Sequence, residues 1–125
     1  MISASAAFSS FSVDDTGAAR AFYADVLGLP VEVDEEMGGM LRLSLPGGQH
    51  VVVYPRTGHV PAAFTVLDLV VPDVVAALDE LARSGVAPER YEGFDQDERG
   101  VARGVGPAIA WFTDPAGNVL SVLQA

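Results

Sequence analysis

Lysine and cysteine are both missing from this 125-residue chain, and histidine occurs only twice, at His50 and His59. Without lysine there is no Schiff-base amine, no P-loop lysine and no Ser–Lys nucleophile pair. Without cysteine, disulfide frameworks, thiol catalysis and thiolate-bound zinc or iron–sulfur centres are excluded. Two histidines cannot build a three-histidine metal site within one chain. Positive charge is scarce as well. Seven arginines stand against 17 carboxylates, a formal charge of −10, so no nucleic-acid or anionic-membrane face is expected. Such a balance draws cations from a distance, although many acidic proteins are acidic only for solubility. No apolar run approaches the ~20 residues of a membrane helix. No basic segment precedes the apolar residues at the start, so a signal peptide is not expected and a cytoplasmic location is.

What is present is a well-punctuated hydrophobic chain, half of it apolar, long enough for one domain that buries roughly two-thirds of its unfolded surface. A helix is expected over 15–27, capped by Asp14 or Asp15. Its stripe is Ala18, Ala19, Phe22, Tyr23, Val26 and Leu27, with Gly28 at the C′ position. A second is expected over 73–84, capped by Asp73, with Val74, Val75, Leu78, Leu81 and Ala82 on one side and Gly85 at its end. Strand-like runs lie at 6–13, 30–34, 40–45, 49–54, 64–71, 89–91, 108–113 and 119–123.

In order these elements read β-α-β-β-β, twice. Ser12-Val13-Asp14-Asp15 falls on Val70-Val71-Pro72-Asp73, 58 positions later, and Leu45-Pro46-Gly47-Gly48-Gln49 falls on Asp114-Pro115-Ala116-Gly117-Asn118. Two βαβββ modules, 1–58 and 59–125, are therefore expected to pack as one α+β unit.

Asp15, Phe22-Tyr23-Ala24-Asp25-Val26-Leu27-Gly28-Leu29 and Phe112-Thr113-Asp114-Pro115-Ala116-Gly117-Asn118 resemble two motifs of the vicinal oxygen chelate superfamily. That superfamily contains glyoxalases, extradiol dioxygenases, fosfomycin-resistance transferases and bleomycin-binding proteins. The resemblance implies that the sheets form a half-open, barrel-like wall around a concave pocket. It also implies four metal-ligand positions, one on the first and one on the last strand of each module. Carried over, they fall on Phe8, Val66, Val52 and Ser121. Three apolar side chains and a hydroxyl do not make a divalent-metal site. No metal and no other cofactor is expected.

Strand alternation then says what else shares the ligand face. Ser10 and Ser12 follow Phe8, His50 and Tyr54 accompany Val52, and Asp68 accompanies Val66. Met40, Arg42 and Ser44 join from the first module and Ile109, Trp111 and Thr113 from the second. The expected ligand-binding set is Phe8, Arg42, His50, Val52, Tyr54, Val66, Asp68, Trp111 and Ser121. Mostly apolar walls with a few directed polar groups suit a small molecule. Plainer roles exist for each: an Arg42–Asp68 salt bridge, a loop bond for His50, a packing role for Trp111. His59 is expected in solvent. The loop from Tyr91 to Gly100 reads as a lid, with Asp95, Asp97 or Glu98 toward a cation, or as an interface.

Two functions follow. One is a metal-free, bleomycin-resistance-like protein that binds a small apolar or aromatic molecule, cationic ones included. The alternative is a lyase, isomerase or dioxygenase of the glyoxalase class, using Arg42, His50, Tyr54 or Asp68. A homodimer is expected, since open sheets leave strand edges to cover.

Overall fold

The computed structural model describes residues 1–104 and 106–125. Its chain is α+β and divides into two compact units, Met1–Val60 and Pro61–Ala125. The first unit is an open four-stranded sheet of β1 (Ser9–Val13), β2 (Val31–Asp34), β3 (Met40–Ser44) and β4 (His50–Pro55), ordered β1-β4-β3-β2. Strand β1 runs parallel to β4, and the other pairs are antiparallel. Alternation in the sequence becomes two faces. Phe11, Val13, Leu41, Leu43, Val51 and Val53 are buried with Phe22 and Tyr23. Their neighbours in the chain, Ser12, Met40, Arg42, His50, Val52 and Tyr54, are half-buried or exposed on the other face.

The helical segment begins where its cap places it. The Asp15 carboxylate accepts from the Ala18 N–H at 3.1 Å, which satisfies one of the first-turn donors. The α-helix α1 itself is shorter than the apolar stripe suggests, covering Thr16–Ala21. The segment Phe22–Val26 continues as a π-helix, a wider turn that brings Phe22 and Tyr23 to the sheet with their rings perpendicular, 5.2 Å apart. Gly28 then takes a left-handed φ of 72° and turns the chain toward β2.

The second unit contains β5 (Thr65–Val71), the helix α2 (Val74–Arg83), β6 (Ile109–Thr113) and β7 (Val119–Gln124), in the sheet order β5-β7-β6. Asp73 caps α2 through the N–H groups of Val75 and Ala76, as Asp15 caps α1. Val74, Leu78 and Leu81 form its buried face. The strand expected at 89–91 does not form. Only Glu89 makes a bridge, to Trp111. The backbone groups flanking it are taken by one side chain: Gln96 accepts from the Tyr91 N–H and donates to the Glu89 carbonyl. The first strand is also shorter than 6–13, beginning only at Ser9.

The Asp-Pro-Ala-Gly-Asn motif is a buried staple. Asp114, 4 % exposed, accepts from the Ala116 N–H, the Asn118 N–H and the Asn118 amide at 2.9–3.1 Å. Asn118, 1 % exposed, accepts in turn from the Ala62 N–H. Gly117 has φ 84°, and a Cβ there would meet Pro61 at 3.0 Å. Both conformation and space demand glycine.

Candidate ligand site

Register builds the open face of the first unit as rows across the strands. One row is Ser10, Val52, Arg42 and Glu32; the next holds Ser12 and Tyr54, with Met40 and Asp34 paired across β2 and β3. His50 pairs with Ser44 at the end of the sheet. A cleft of about 510 Å³ opens over β2, β3 and β4, lined by Met40, Arg42, His50 and Val52, with Glu32 and Asp34 to Glu36 along β2 and the turn that follows.

The polar groups of this cleft are organised. The Arg42 guanidinium reaches His50 Nδ1 in a long contact of 3.5 Å. A guanidinium can only donate, so in this contact Nδ1 is the accepting atom. Phe8 lies before β1 and is 60 % exposed. Its ring still stacks on His50, with centroids 5.1 Å apart and planes 22° apart. His59 is not in free solvent: it is half-buried and bonded to Ser12 Oγ at 2.7 Å.

Glu32, Asp34, Glu35 and Glu36 were not among the expected site residues. The signal existed: position 32 faces position 42 once β2 and β3 pair. Family-derived positions direct attention to first and last strands, and the edge strand drops out.

In the second unit the corresponding row is Glu89, Trp111, Ser121 and Asp68. Ser121, fully buried, donates to the Asp68 carboxylate in a short hydrogen bond. Val66 lies where the register shifts between Thr65 and Leu67. This bulge denies it the in-line partner that simple alternation gives it. Trp111, 7 % exposed, lies against its own loop, 4.7 Å from Phe94 and 5.8 Å from Tyr91 between ring centroids.

That loop is internally braced. Gln96 also donates to the Gly100 carbonyl, and Arg90 donates to the Asp97 and Glu98 carbonyls. The expected role of Asp97 toward an external cation does not hold. Its carboxylate accepts from the Arg99 and Val101 N–H groups and pairs with Arg103 at 3.7 Å. The Val101 N–H contributes most to holding Asp97 below the usual carboxylate range, against partial desolvation, with smaller help from Arg99, Arg103 and Gly100. Burial, with the negative Glu89 nearby, pushes the Tyr91 hydroxyl up from its ordinary value.

The sequence matches the profile of the Glyoxalase/Bleomycin resistance protein/Dioxygenase superfamily over residues 7–122. The chain belongs to this superfamily. Solved members share its fold. The antibiotic binding protein TnmS3 from Streptomyces sp. CB03234 is 26 % identical, with a TM-score of 0.71 and 98 % of each chain covered. A glyoxalase/bleomycin resistance protein from the same organism is also 26 % identical, at a TM-score of 0.67 with 94 % and 97 % covered. The fosfomycin resistance protein FosX from Listeria monocytogenes, 11 % identical, reaches a TM-score of 0.71 over 100 % and 95 % of the chains. No curated protein matches the sequence significantly.

The four metal-ligand positions that the resemblance implies are held here by Phe8, Val52, Val66 and Ser121. Phe8, Val52 and Val66 have no lone pair to offer, and the Ser121 hydroxyl is engaged with Asp68. Among the described residues, no three His, Asp or Glu side chains gather into a group that would hold a metal ion. Nor is any helix among the described residues long and apolar enough to cross a membrane.

Proposed function

We propose that this member of the superfamily is a metal-free binding protein, which holds a small, largely apolar or aromatic molecule in the cleft of its first unit. One observation carries the reading. The cleft is about 510 Å³, within the range of small-molecule sites, and sets Arg42 and His50 against the carboxylates of β2 and the turn after it. Phe8 and Tyr54 add aromatic surface on the same side of the sheet. Likeness to an antibiotic binding protein across the whole chain supports binding over turnover.

The test is a titration of isotope-labelled protein, dialysed against chelator, with 2-naphthylmethylamine, a planar cation. Amide shifts are expected to centre on Met40, Arg42, His50 and Val52, and elemental analysis is expected to find well under one equivalent of zinc, iron, nickel or manganese. Shifts scattered over the surface, or a full metal equivalent that raises the melting temperature, would overturn the proposal.

We also propose that the protein is a homodimer. Each sheet has an open edge strand, β1 in one unit and β5 in the other, and such edges are normally covered. Light scattering at micromolar concentration is expected to give twice the mass of the chain; a monomer would contradict it.

A further inference from the structure

A glutamate and an arginine stand opposite each other in the cleft without pairing. Glu32 and Arg42 are register partners on β2 and β3, which puts their Cβ atoms on one face roughly 5 Å apart. A salt bridge between them would be the ordinary outcome. The ion pairs among the described residues lie elsewhere, at Arg83–Glu80, Arg99–Asp79 and Arg103–Asp97. Arg42 turns instead toward His50.

The cleft therefore has two ends of opposite character. At one end are the His50 ring and the remaining Arg42 N–H groups, which can only donate. At the other is Glu32, with Asp34 beside it along β2; one Asp34 oxygen already accepts from the Met37 N–H at 3.2 Å. Val52 and Met40 add apolar surface beside Arg42, Val52 across from it on β4 and Met40 two residues along β3, facing Asp34. An anionic compound would meet the β2 carboxylates, and a cationic one would meet the Arg42 guanidinium. A molecule with both charges satisfies each end and is repelled by neither.

We infer that the ligand is a planar zwitterion, with a carboxylate or similar oxygen anion at Arg42 and His50 and a protonated amine at Glu32. This inference rests on the cleft being the ligand site, and three related probes separate the two claims. They are 6-(aminomethyl)-2-naphthoate, its N-acetyl derivative, which is only anionic, and its methyl ester, which is only cationic. Binding is followed by the amide shifts of the cleft residues. The zwitterion is expected to bind at least tenfold more tightly than either relative. Glu32→Gln is expected to abolish its advantage over the N-acetyl compound, and Arg42→Gln its advantage over the ester. Both positions are exposed, so the fold should be retained, and the unchanged spectrum of the remaining residues verifies this. Equal binding of all three, or unaltered preferences in the variants, would overturn the zwitterion alone. Absence of cleft shifts with every probe would overturn both the zwitterion and the cleft as the site.

Discussion

Truncation of Trp111 to alanine is expected to destabilise the protein by about 3–5 kcal/mol, the usual cost of removing a large buried ring. The ring is 7 % exposed. It joins a β6 backbone bridged to Glu89 to the rings of Tyr91 and Phe94, so the loss includes transfer energy and the cover provided by the loop. Thermal unfolding should show a midpoint lower by more than about 10 °C. Phe94→Ala separates packing from cover. Phe94 is 55 % exposed, so its removal should cost little stability but admit water to the indole and move the emission to longer wavelength. Because Trp111 is the only tryptophan, that emission has one source. A Trp111→Ala protein that melts within a degree or two of the parent would show that the ring is not structural.

Asp114→Ala is expected to be nearly as damaging, at about 3–5 kcal/mol, although it removes only a carboxylate from a hairpin. Three donors lose an acceptor together, the N–H groups of Ala116 and Asn118 and the Asn118 amide. Each buried polar group left unsatisfied costs about 1–3 kcal/mol. The consequence spreads, because Asn118 would no longer be held to accept from the Ala62 N–H. Asp114→Asn keeps an acceptor oxygen and should recover more than half of the loss in urea-induced unfolding. If the alanine variant unfolds at the parental denaturant concentration, the motif is not the staple described here.

Much of the fold was legible because its signals are local. Both helix caps, Asp15 and Asp73, announce themselves by residue type and by the apolar stripe that follows. The 58-residue offset between them reappears between Ser10 and Asp68, which occupy matching places in the two sheets. Two-residue alternation separated Leu41, Leu43, Val51 and Val53 from Arg42, His50 and Val52 correctly. The departures have long-range causes. An apolar stripe does not reveal that Phe22 opens a π-helix. Glu89 to Tyr91 has strand composition, but Gln96 intercepts its backbone groups. His59 acquires its bond from Ser12, 47 residues away. The candidate site was legible in part: Arg42, His50 and Val52 line the cleft, whereas Glu32 and Asp34 enter it only through the pairing of an edge strand.

That edge strand has a consequence for crowding. The outer rim of β2 offers unpaired backbone groups along Val31–Asp34, and the exposed Val33 adds a sticky apolar spot. Left neutral, such a rim would template the addition of another strand. Glu32, Asp34, Glu35 and Glu36 make two approaching copies repel each other, at distances within the Debye length of about 10 Å at 0.1 M salt. The charges that polarise the cleft thus double as an anti-fibrillation guard, one that weakens in strong brine. Neutralising all four should make clumping of the concentrated protein faster without altering its interior.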